Sequence, residues 1–234
     1  MPELRFGLTA TSQCSYLSHQ QEQLVFLLPE QPVSAALYQQ LQTLNFRRSG
    51  NQIYTPHCPA CDACQSVRLQ TGIFSPRGSQ RRLLRKAERA GWRYQLVRHP
   101  STAEYYKLFQ QYISFKHPDG DMYPATPEQL LSMLQCSWLQ VRFLEQYYQN
   151  QLVAVTIVDE LADSYSAVYT FFAEHCRTYS PGKLAVLYLT RLAAENNKDY
   201  TYLGYYITDC TKMAYKAEFS PQQRYIQGQW HSFG

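Results

Sequence analysis

The sequence predicts an α+β protein in which a small N-terminal unit with a cysteine cluster precedes a domain built on a mixed, mostly antiparallel sheet. Three observations support this class: a cysteine-rich first quarter, capped helical segments in the middle, and a run of strand-like segments in the second half. The 234 residues suffice for one large domain or two modest ones. We place the two units at residues 1–75 and 76–234.

The first unit is expected to contain one helix and two short strands. Ser34 begins the helix, in which leucines recur at helical spacing up to Leu44. Segment 47–50 has turn chemistry and is expected to be a loop. Strands at 52–54 and 66–71 are expected to flank the cysteines.

The second unit begins with helices and continues with strands. Ser79 is expected to cap its first helix, Gly91 to end that helix, and Thr126 to cap a later one. Helices are expected at 79–90, 102–116, 126–136, 182–195 and 211–219. Strands are expected at 138–148, 152–160, 164–172, 200–207 and 224–230. This order of elements predicts an acyl-CoA N-acyltransferase-like (GNAT-like) domain.

Positive charge is concentrated in one part of the chain. The net charge is only +4, but segment 68–98 contains nine Arg or Lys residues and a single acid, Glu88. This segment therefore carries about +8 and the remainder about −4. A basic block on a slightly acidic body predicts an anionic partner, most simply a nucleic acid.

The basic block includes an amphipathic helix. Leu83, Leu84 and Ala87 form its apolar stripe, and the basic residues fall on the other side. Contact with nucleic-acid phosphates is one interpretation, and an ordinary solvated helix face is the other. The residues predicted to bind the nucleic acid are Arg81, Arg82, Arg85, Lys86 and Arg89, together with Lys183 at the start of a later helix.

Three cysteines recur at every third position of a short loop. They are Cys58, Cys61 and Cys64, and Cys14 lies far upstream. Thiols at this spacing suit a metal ion or an iron–sulfur cluster, with Cys14 as the fourth ligand. Reduced structural cysteines are the alternative, and the odd total of seven argues against a complete disulfide framework. The spacing does not separate structural zinc from an iron–sulfur cluster.

No stretch of the sequence approaches the length of a membrane span, and residues 1–10 lack the pattern of a secretory signal. We therefore expect a cytoplasmic protein with no membrane partner. The oligomeric state is left open.

Several segments together resemble the bacterial branch of the arginyl-tRNA–protein transferase family, the aspartate/glutamate leucyltransferases. They are spread in order over nearly the whole chain, which makes the resemblance specific. The segments are CSYL at 14–17, FRRSG at 46–50, YTPHCPAC at 54–61, SQRR at 79–82, YLGYYI at 202–207 and KMAYK at 212–216.

The resemblance implies an enzyme that moves leucine from leucyl-tRNA to the N-terminal amine of proteins beginning with Asp or Glu. The product would then be degraded through the N-end rule. No nucleotide cofactor beyond the aminoacyl-tRNA donor is expected. The alternatives are an arginyl-tRNA donor, an acetyl-CoA-dependent N-acetyltransferase on the same fold, and a non-catalytic RNA-binding or redox-sensing protein.

The substrate pocket is expected near the C-terminal motif and the turn at Ser180 and Gly182. This turn follows a strand and opens a helix, where backbone N–H groups can hold the tRNA 3′ end; a plain helix cap is the alternative. Strand alternation predicts that Tyr202 and Tyr206 share a face that Tyr205 does not. The predicted pocket residues are Ser180, Gly182, Tyr202, Tyr206, Lys212, Tyr215 and Lys216.

The general base is not assigned from the sequence. Asp119, Asp121 and Glu174 are candidate proton acceptors, although the Asp residues equally suit a turn. Because the donor is an activated ester, the protein mainly has to align the amine with the ester carbon and stabilise an oxyanion.

Overall fold

A computed structural model describes residues 4–28, 30–120 and 122–234. Asp121, one of the candidate proton acceptors, lies outside these ranges. Residues 1–3, which belong to the segment 1–10 that lacks a secretory signal, also lie outside them. The helices of the described residues are α1 (Ala35–Gln42), α2 (Gly78–Arg89), α3 (Thr102–Lys116), α4 (Pro127–Leu134), α5 (Pro181–Glu195) and α6 (Thr211–Ala214), with 3-10 turns at Glu174–Tyr179 and Tyr215–Glu218. None of them is long and apolar enough to cross a membrane.

The strands of the same ranges form three sheets. Those of the N-terminal part are β1 (Phe6–Leu8), β2 (Ser12–Gln13), β3 (Gln21–Glu22), β4 (Leu24–Leu27), β5 (Arg47–Ser49), β6 (Gln52–Pro56) and β7 (Gln65–Gln70). Those of the remainder are β8 (Arg93–Val97), β9 (Gln140–Tyr148), β10 (Gln151–Glu160), β11 (Ser164–Phe172), β12 (Tyr200–Tyr206), β13 (Gln222–Ile226) and β14 (Gln229–Phe233).

The large sheet has the strand order β14-β13-β7-β12-β11-β10-β9-β8. All its neighbours are antiparallel except β11 and β12, which run parallel because α5 crosses between them. The predicted mixed, mostly antiparallel α+β class is therefore confirmed. The separate cysteine-bearing unit and its boundary at residue 75 stay predictions, and β7, which lies before that boundary, pairs within the large sheet.

Helices and a second sheet cover the two faces of the large sheet. Its main core is formed with α3, α4 and α5 and contains large buried side chains such as Phe109, Phe143 and Phe171. A smaller four-stranded sheet of order β1-β4-β6-β5 and α1 lie on the other face. Burial of these apolar side chains contributes roughly 1.5–3 kcal/mol for each large residue.

A buried ion pair fastens the small sheet to the large one. Arg48 on β5 pairs with Asp159 on β10, and both side chains are fully buried. The Arg48 Nε–Asp159 Oδ1 distance is 2.7 Å, and the Tyr38 hydroxyl of α1 donates to the other carboxylate oxygen at 3.2 Å. This network holds the neighbouring Arg47 against the large sheet.

Several predicted element boundaries agree with the structure. Ser34 caps α1 by accepting from the Leu37 N–H at 3.2 Å, and Thr126 caps α4 together with Gln129. Helix α3 occupies residues 102–116, as expected.

Three predictions about local structure are wrong. Residues 47–49 form β5, because the turn chemistry is confined to the residues that connect it to β6. Helix α2 is capped at Arg77 rather than at Ser79, since the Gln80 side chain accepts from the Arg77 N–H. The single strand expected at 224–230 is instead a hairpin of two strands, β13 and β14. Gln227 and Gly228 both take positive φ values and form the tight turn between them.

Candidate active site

The parallel strands β11 and β12 separate and leave a cleft in the middle of the large sheet. They pair only over three positions, the last of which joins Ser166 to Tyr202. Beyond that point β11 continues beside β10 and β12 beside β7, and both of these pairings shift register near the divergence. Backbone groups that would have bonded across the two strands can therefore bond to side chains or a substrate.

Two cationic side chains enter this cleft from opposite faces of the sheet. Arg47 comes from β5 and donates from Nη1 to Ser166 Oγ at 3.0 Å and from Nη2 to the Ala167 carbonyl oxygen at 2.8 Å. Lys216 comes from the C-terminal segment, and its Nζ donates to the Tyr205 carbonyl oxygen. The cleft thus connects the N-terminal layer to the C-terminal motif.

Gly204 lies between the two cations. It has a φ of +80°, and a Cβ atom placed on it would lie 3.6 Å from Arg47 Nη2 and 3.7 Å from Lys216 Nζ. The positive φ and the bulge in β12 require a residue without a side chain here. Both cationic groups consequently converge on one point of the cleft.

Burial and the neighbouring charge of Arg47 lower the pKa of Lys216 to about 7. The other titratable groups that face it are the thiols of Cys210 and Cys64, and the ring of Tyr215 lies 5.9 Å from Nζ. Burial raises the pKa of Cys64 to about 12, so this thiol is neutral near pH 7. Burial therefore opposes the positive charge on Lys216, and a bound anion would favour it.

Two further polar side chains, Tyr169 of β11 and His117 after α3, have pKa values shifted by burial. The Tyr169 hydroxyl on β11 is buried and has no hydrogen-bond partner within the described ranges. Its pKa is raised by burial and by the nearby Tyr112 and Tyr16. His117 Nδ1 lies 3.4 Å from Lys212 Nζ, and burial with that positive neighbour lowers the pKa of His117.

Helix α2 lies beside the first turn of α5. Lys86 donates to the Thr178 carbonyl oxygen at 2.9 Å and lies over the Tyr179 ring. Gln80 donates to the carbonyl oxygen of Glu218, whose carboxylate pairs with Lys183. The basic helix, the turn at residue 180 and the segment that carries Lys216 therefore lie next to one another.

The predicted tRNA-binding residues have different environments. Arg81, Arg82, Arg85, Lys86 and Arg89 are exposed, and the stripe with Ala87 packs inward as expected. Lys86 and Lys183 are engaged in the contacts described above. Their role in tRNA binding stays a prediction.

The predicted pocket residues are divided between the cleft and the core. Tyr202 is buried beside Arg68, whereas Tyr206 packs with Val67 and Phe219 on the opposite face of the sheet. The expectation that Tyr202 and Tyr206 share a face is wrong, because the bulge before Gly204 reverses the alternation; Tyr202 shares its face with Tyr205.

The remaining predicted pocket residues differ in their exposure, and their place in a substrate pocket stays a prediction. Ser180 takes a φ of +48° at the start of α5, and the space beside Gly182 is open. Burial raises the pKa of Tyr215 to about 12, and Lys212 is exposed. Of the predicted set, only Lys216 is a buried cation in the cleft.

The four predicted metal ligands lie near one another. Cys14, Cys61 and Cys64 pack around the same small apolar cluster. The backbones of Cys58 and Cys61 form an isolated antiparallel β-bridge. Cys210, which is not among the predicted ligands, is also buried in this cluster. Each of these thiols is free of disulfide bonds.

The cysteine loop fits a metal in its chemistry but not in its side-chain geometry. Four thiols supply the soft donors that zinc and iron–sulfur clusters use. Within the described residues, however, no three Cys, His, Asp or Glu side chains converge as a ligand set. Metal binding by Cys14, Cys58, Cys61 and Cys64 therefore stays a prediction.

A cavity of about 530 Å³ separates the cysteines from the small sheet. Leu24 and Phe26 supply apolar walls, and Tyr205 forms the side toward the cleft. Glu22 is its acid and accepts from the N–H and hydroxyl of Ser15, both at 3.3 Å. Its apolar walls suit an aliphatic side chain, and the Glu22 carboxylate suits a positively charged group beside that side chain.

Arg47, His117, Tyr169 and Cys210 were not identified from the sequence as site residues. The sequence predicts a loop at Arg47, whereas the structure shows its side chain in contact with residues about 120 positions away along the chain. The one available signal was its place in the segment FRRSG that supports the family resemblance.

Solved structures share this architecture. The C-terminal domain of a putative lysylphosphatidylglycerol synthetase from Agrobacterium fabrum matches with a TM-score of 0.54 at 12% identity, covering 74% of this chain and 58% of that one. FemX matches with a TM-score of 0.50 at 8% identity, covering 92% and 84%. The chain therefore shares its fold with these two proteins.

Sequence comparison places the chain more narrowly. Residues 12–82 match the arginine-tRNA-protein transferase N terminus, and residues 104–226 match the C terminus of the same family. The chain is 42% identical over 227 residues to an aspartate/glutamate leucyltransferase of Aeromonas hydrophila subsp. hydrophila, covering 97% of this chain and 94% of the relative. It is 39% identical to that of Saccharophagus degradans, covering 99% and 98%. The chain belongs to the arginine-tRNA-protein transferase family and is a transferase.

Proposed function

We propose that this protein transfers leucine from leucyl-tRNA to the N-terminal amine of proteins that begin with Asp or Glu. The observation that carries the proposal is the match, over nearly the full length of both chains, to relatives named aspartate/glutamate leucyltransferase. A cytoplasmic location, a GNAT-like assignment of the fold and delivery of the product to N-end rule proteolysis are parts of the same proposal.

The cleft suits an ester aminolysis. The acceptor nitrogen, after losing a proton, attacks the carbonyl carbon of the leucyl ester and forms a C–N bond. The C–O bond to the tRNA ribose then breaks, and the 3′ oxygen leaves with a proton as a hydroxyl. The reaction needs no oxidant or nucleotide, because the ester is already activated, so positioning and charge stabilisation supply the catalysis.

The parts around the cleft can be assigned to the two substrates. The exposed basic face of α2 leads to the turn at Ser180, so it offers the tRNA acceptor end a path toward the divergence of β11 and β12. The acidic acceptor enters where Lys216 supplies positive charge. Burial and the charge of Lys212 lower the pKa of His117, which favours its neutral imidazole and makes it a candidate to take the proton of the acceptor amine.

Metal binding at the cysteine loop is a separate proposal. Cys14, Cys58, Cys61 and Cys64 would hold zinc or an iron–sulfur cluster, which would brace the loop against the segment around Cys210. None of the transfer steps above depends on the metal.

Transfer of labelled leucine tests the proposed function. We expect label from leucyl-tRNA to appear on a peptide that begins with Glu and not on a matched peptide that begins with Lys. Arginyl-tRNA and acetyl-CoA serve as the competing donors. Transfer from either of them with leucyl-tRNA inert would contradict the proposal.

A further inference from the structure

Arg47 and Lys216 are buried cations without an acidic partner among the described residues. Both side chains are nearly inaccessible, and neither occurs in the ion pairs of the described chain. Removing two positive charges from water without a counter-ion costs several kcal/mol. Such charges are compensated by a bound anion or by loss of the proton, and arginine does not lose its proton in proteins.

The protein contacts of the two side chains leave hydrogen-bond donors free. Arg47 has five N–H donors, and two are used by Ser166 and the Ala167 carbonyl oxygen. Lys216 uses one donor on the Tyr205 carbonyl oxygen and directs another at the sulfur of Met213, a weak acceptor. The free donors can therefore bind a small planar anion where both groups converge on Gly204.

No carboxylate of the described residues pairs with either cation. Glu22 lines the adjacent cavity and is held by Ser15 rather than by Arg47. The carboxylate of a substrate can therefore pair with both cations.

We propose that Arg47 and Lys216 together form the subsite that binds the side-chain carboxylate of the acceptor's N-terminal Asp or Glu. This inference rests on the proposed function and adds to it a specificity residue, Arg47, from the N-terminal part of the chain. The carboxylate bridges the two cations above Gly204, which places the neighbouring α-amine at the divergence of β11 and β12, beside the ester. The Ala167 and Tyr205 carbonyl oxygens fix the two cationic groups in position.

Steady-state kinetics on charged and uncharged acceptors test the subsite. Lys216→Met and Arg47→Met are compared with Lys107→Met, which removes an exposed lysine of α3. Peptides that differ only in an N-terminal Glu or Gln are used with saturating leucyl-tRNA. We expect the Glu-over-Gln ratio of kcat/KM to fall roughly 10- to 100-fold in the two site variants, mainly through KM for the Glu peptide. The ratio should not change in the control.

Folding is monitored separately. Because Lys216→Met removes an uncompensated buried charge, its thermal midpoint should equal or exceed that of the wild type. Arg47→Lys keeps the charge and should retain part of the Glu preference. Equal losses on both peptides would show that the residues act only through structure and would overturn the proposal.

Two binding measurements distinguish other outcomes. If the anion is a tRNA phosphate instead, Lys216→Met will weaken leucyl-tRNA binding and leave the Glu-over-Gln ratio unchanged, which also overturns the proposal. Calorimetric titration of the peptides without tRNA covers the case in which the wild type transfers no leucine. A Glu preference in binding that Lys216→Met abolishes would then support the subsite although the proposed function had failed.

Discussion

Asp159→Asn is expected to destabilise the protein strongly, because it removes the partner of a fully buried arginine. The Arg48 and Asp159 side chains have no exposed surface, and the Tyr38 hydroxyl depends on the same carboxylate. Breaking such a pair on one side leaves a buried charge without compensation and costs about 3–5 kcal/mol. Since a domain is stable by only about 5–15 kcal/mol, this is a large fraction of the total.

Urea unfolding followed by circular dichroism measures the loss. With a slope of about 2–3 kcal/mol per M, the midpoint should fall by about 1–2.5 M. Glu174→Gln is the matched control, because Glu174 pairs with Arg177 at 3.7 Å while both side chains are about 60% exposed. Such a surface pair contributes under about 1 kcal/mol. An Asp159→Asn midpoint shift no larger than that of the control would refute the role given to the buried pair.

Two further predictions concern the substrates. Burial lowers the pKa of Lys216 to about 7, so this side chain carries its charge mainly below that pH, and a bound carboxylate raises the pKa. The Glu-over-Gln preference should therefore be greatest below pH 7 and decline as the pH rises above it. Kinetics from pH 6 to 9 measure this, and a preference that grows with pH would contradict it. The double variant Arg82→Glu and Arg85→Glu should weaken leucyl-tRNA binding and reduce the slope of log K against log salt by about 1.5. Filter binding at several salt concentrations tests this against Lys107→Glu, and an unchanged slope would remove α2 from the tRNA path.

Local signals in the sequence were sufficient for much of the fold. Ser34 and Thr126 cap helices through contacts three residues away, so a short window contains the whole cause. The exposed basic stripe of α2 likewise follows from periodicity.

The cleft could be predicted only in part. The sequence predicts Lys216 as a site residue because it belongs to a motif that supports the family resemblance. Arg47, which converges with it on Gly204, lies on a strand of the smaller sheet. Nothing within a few positions of Arg47 indicates that its side chain will meet Ala167. The bulge before Gly204 also reverses side-chain alternation, and register is a property of pairing between strands rather than of one segment.

Mass spectrometry of a single reaction mixture tests whether this protein adds leucine selectively to acidic N-termini. The protein is incubated with a complete pool of charged tRNAs and with equal amounts of peptides that begin with Asp, Glu, Asn and Gln. We expect one leucine to be added to the N-terminus of the Asp and Glu peptides and to neither of the amide peptides. Addition of arginine instead, or equal addition of leucine to all four peptides, would contradict it.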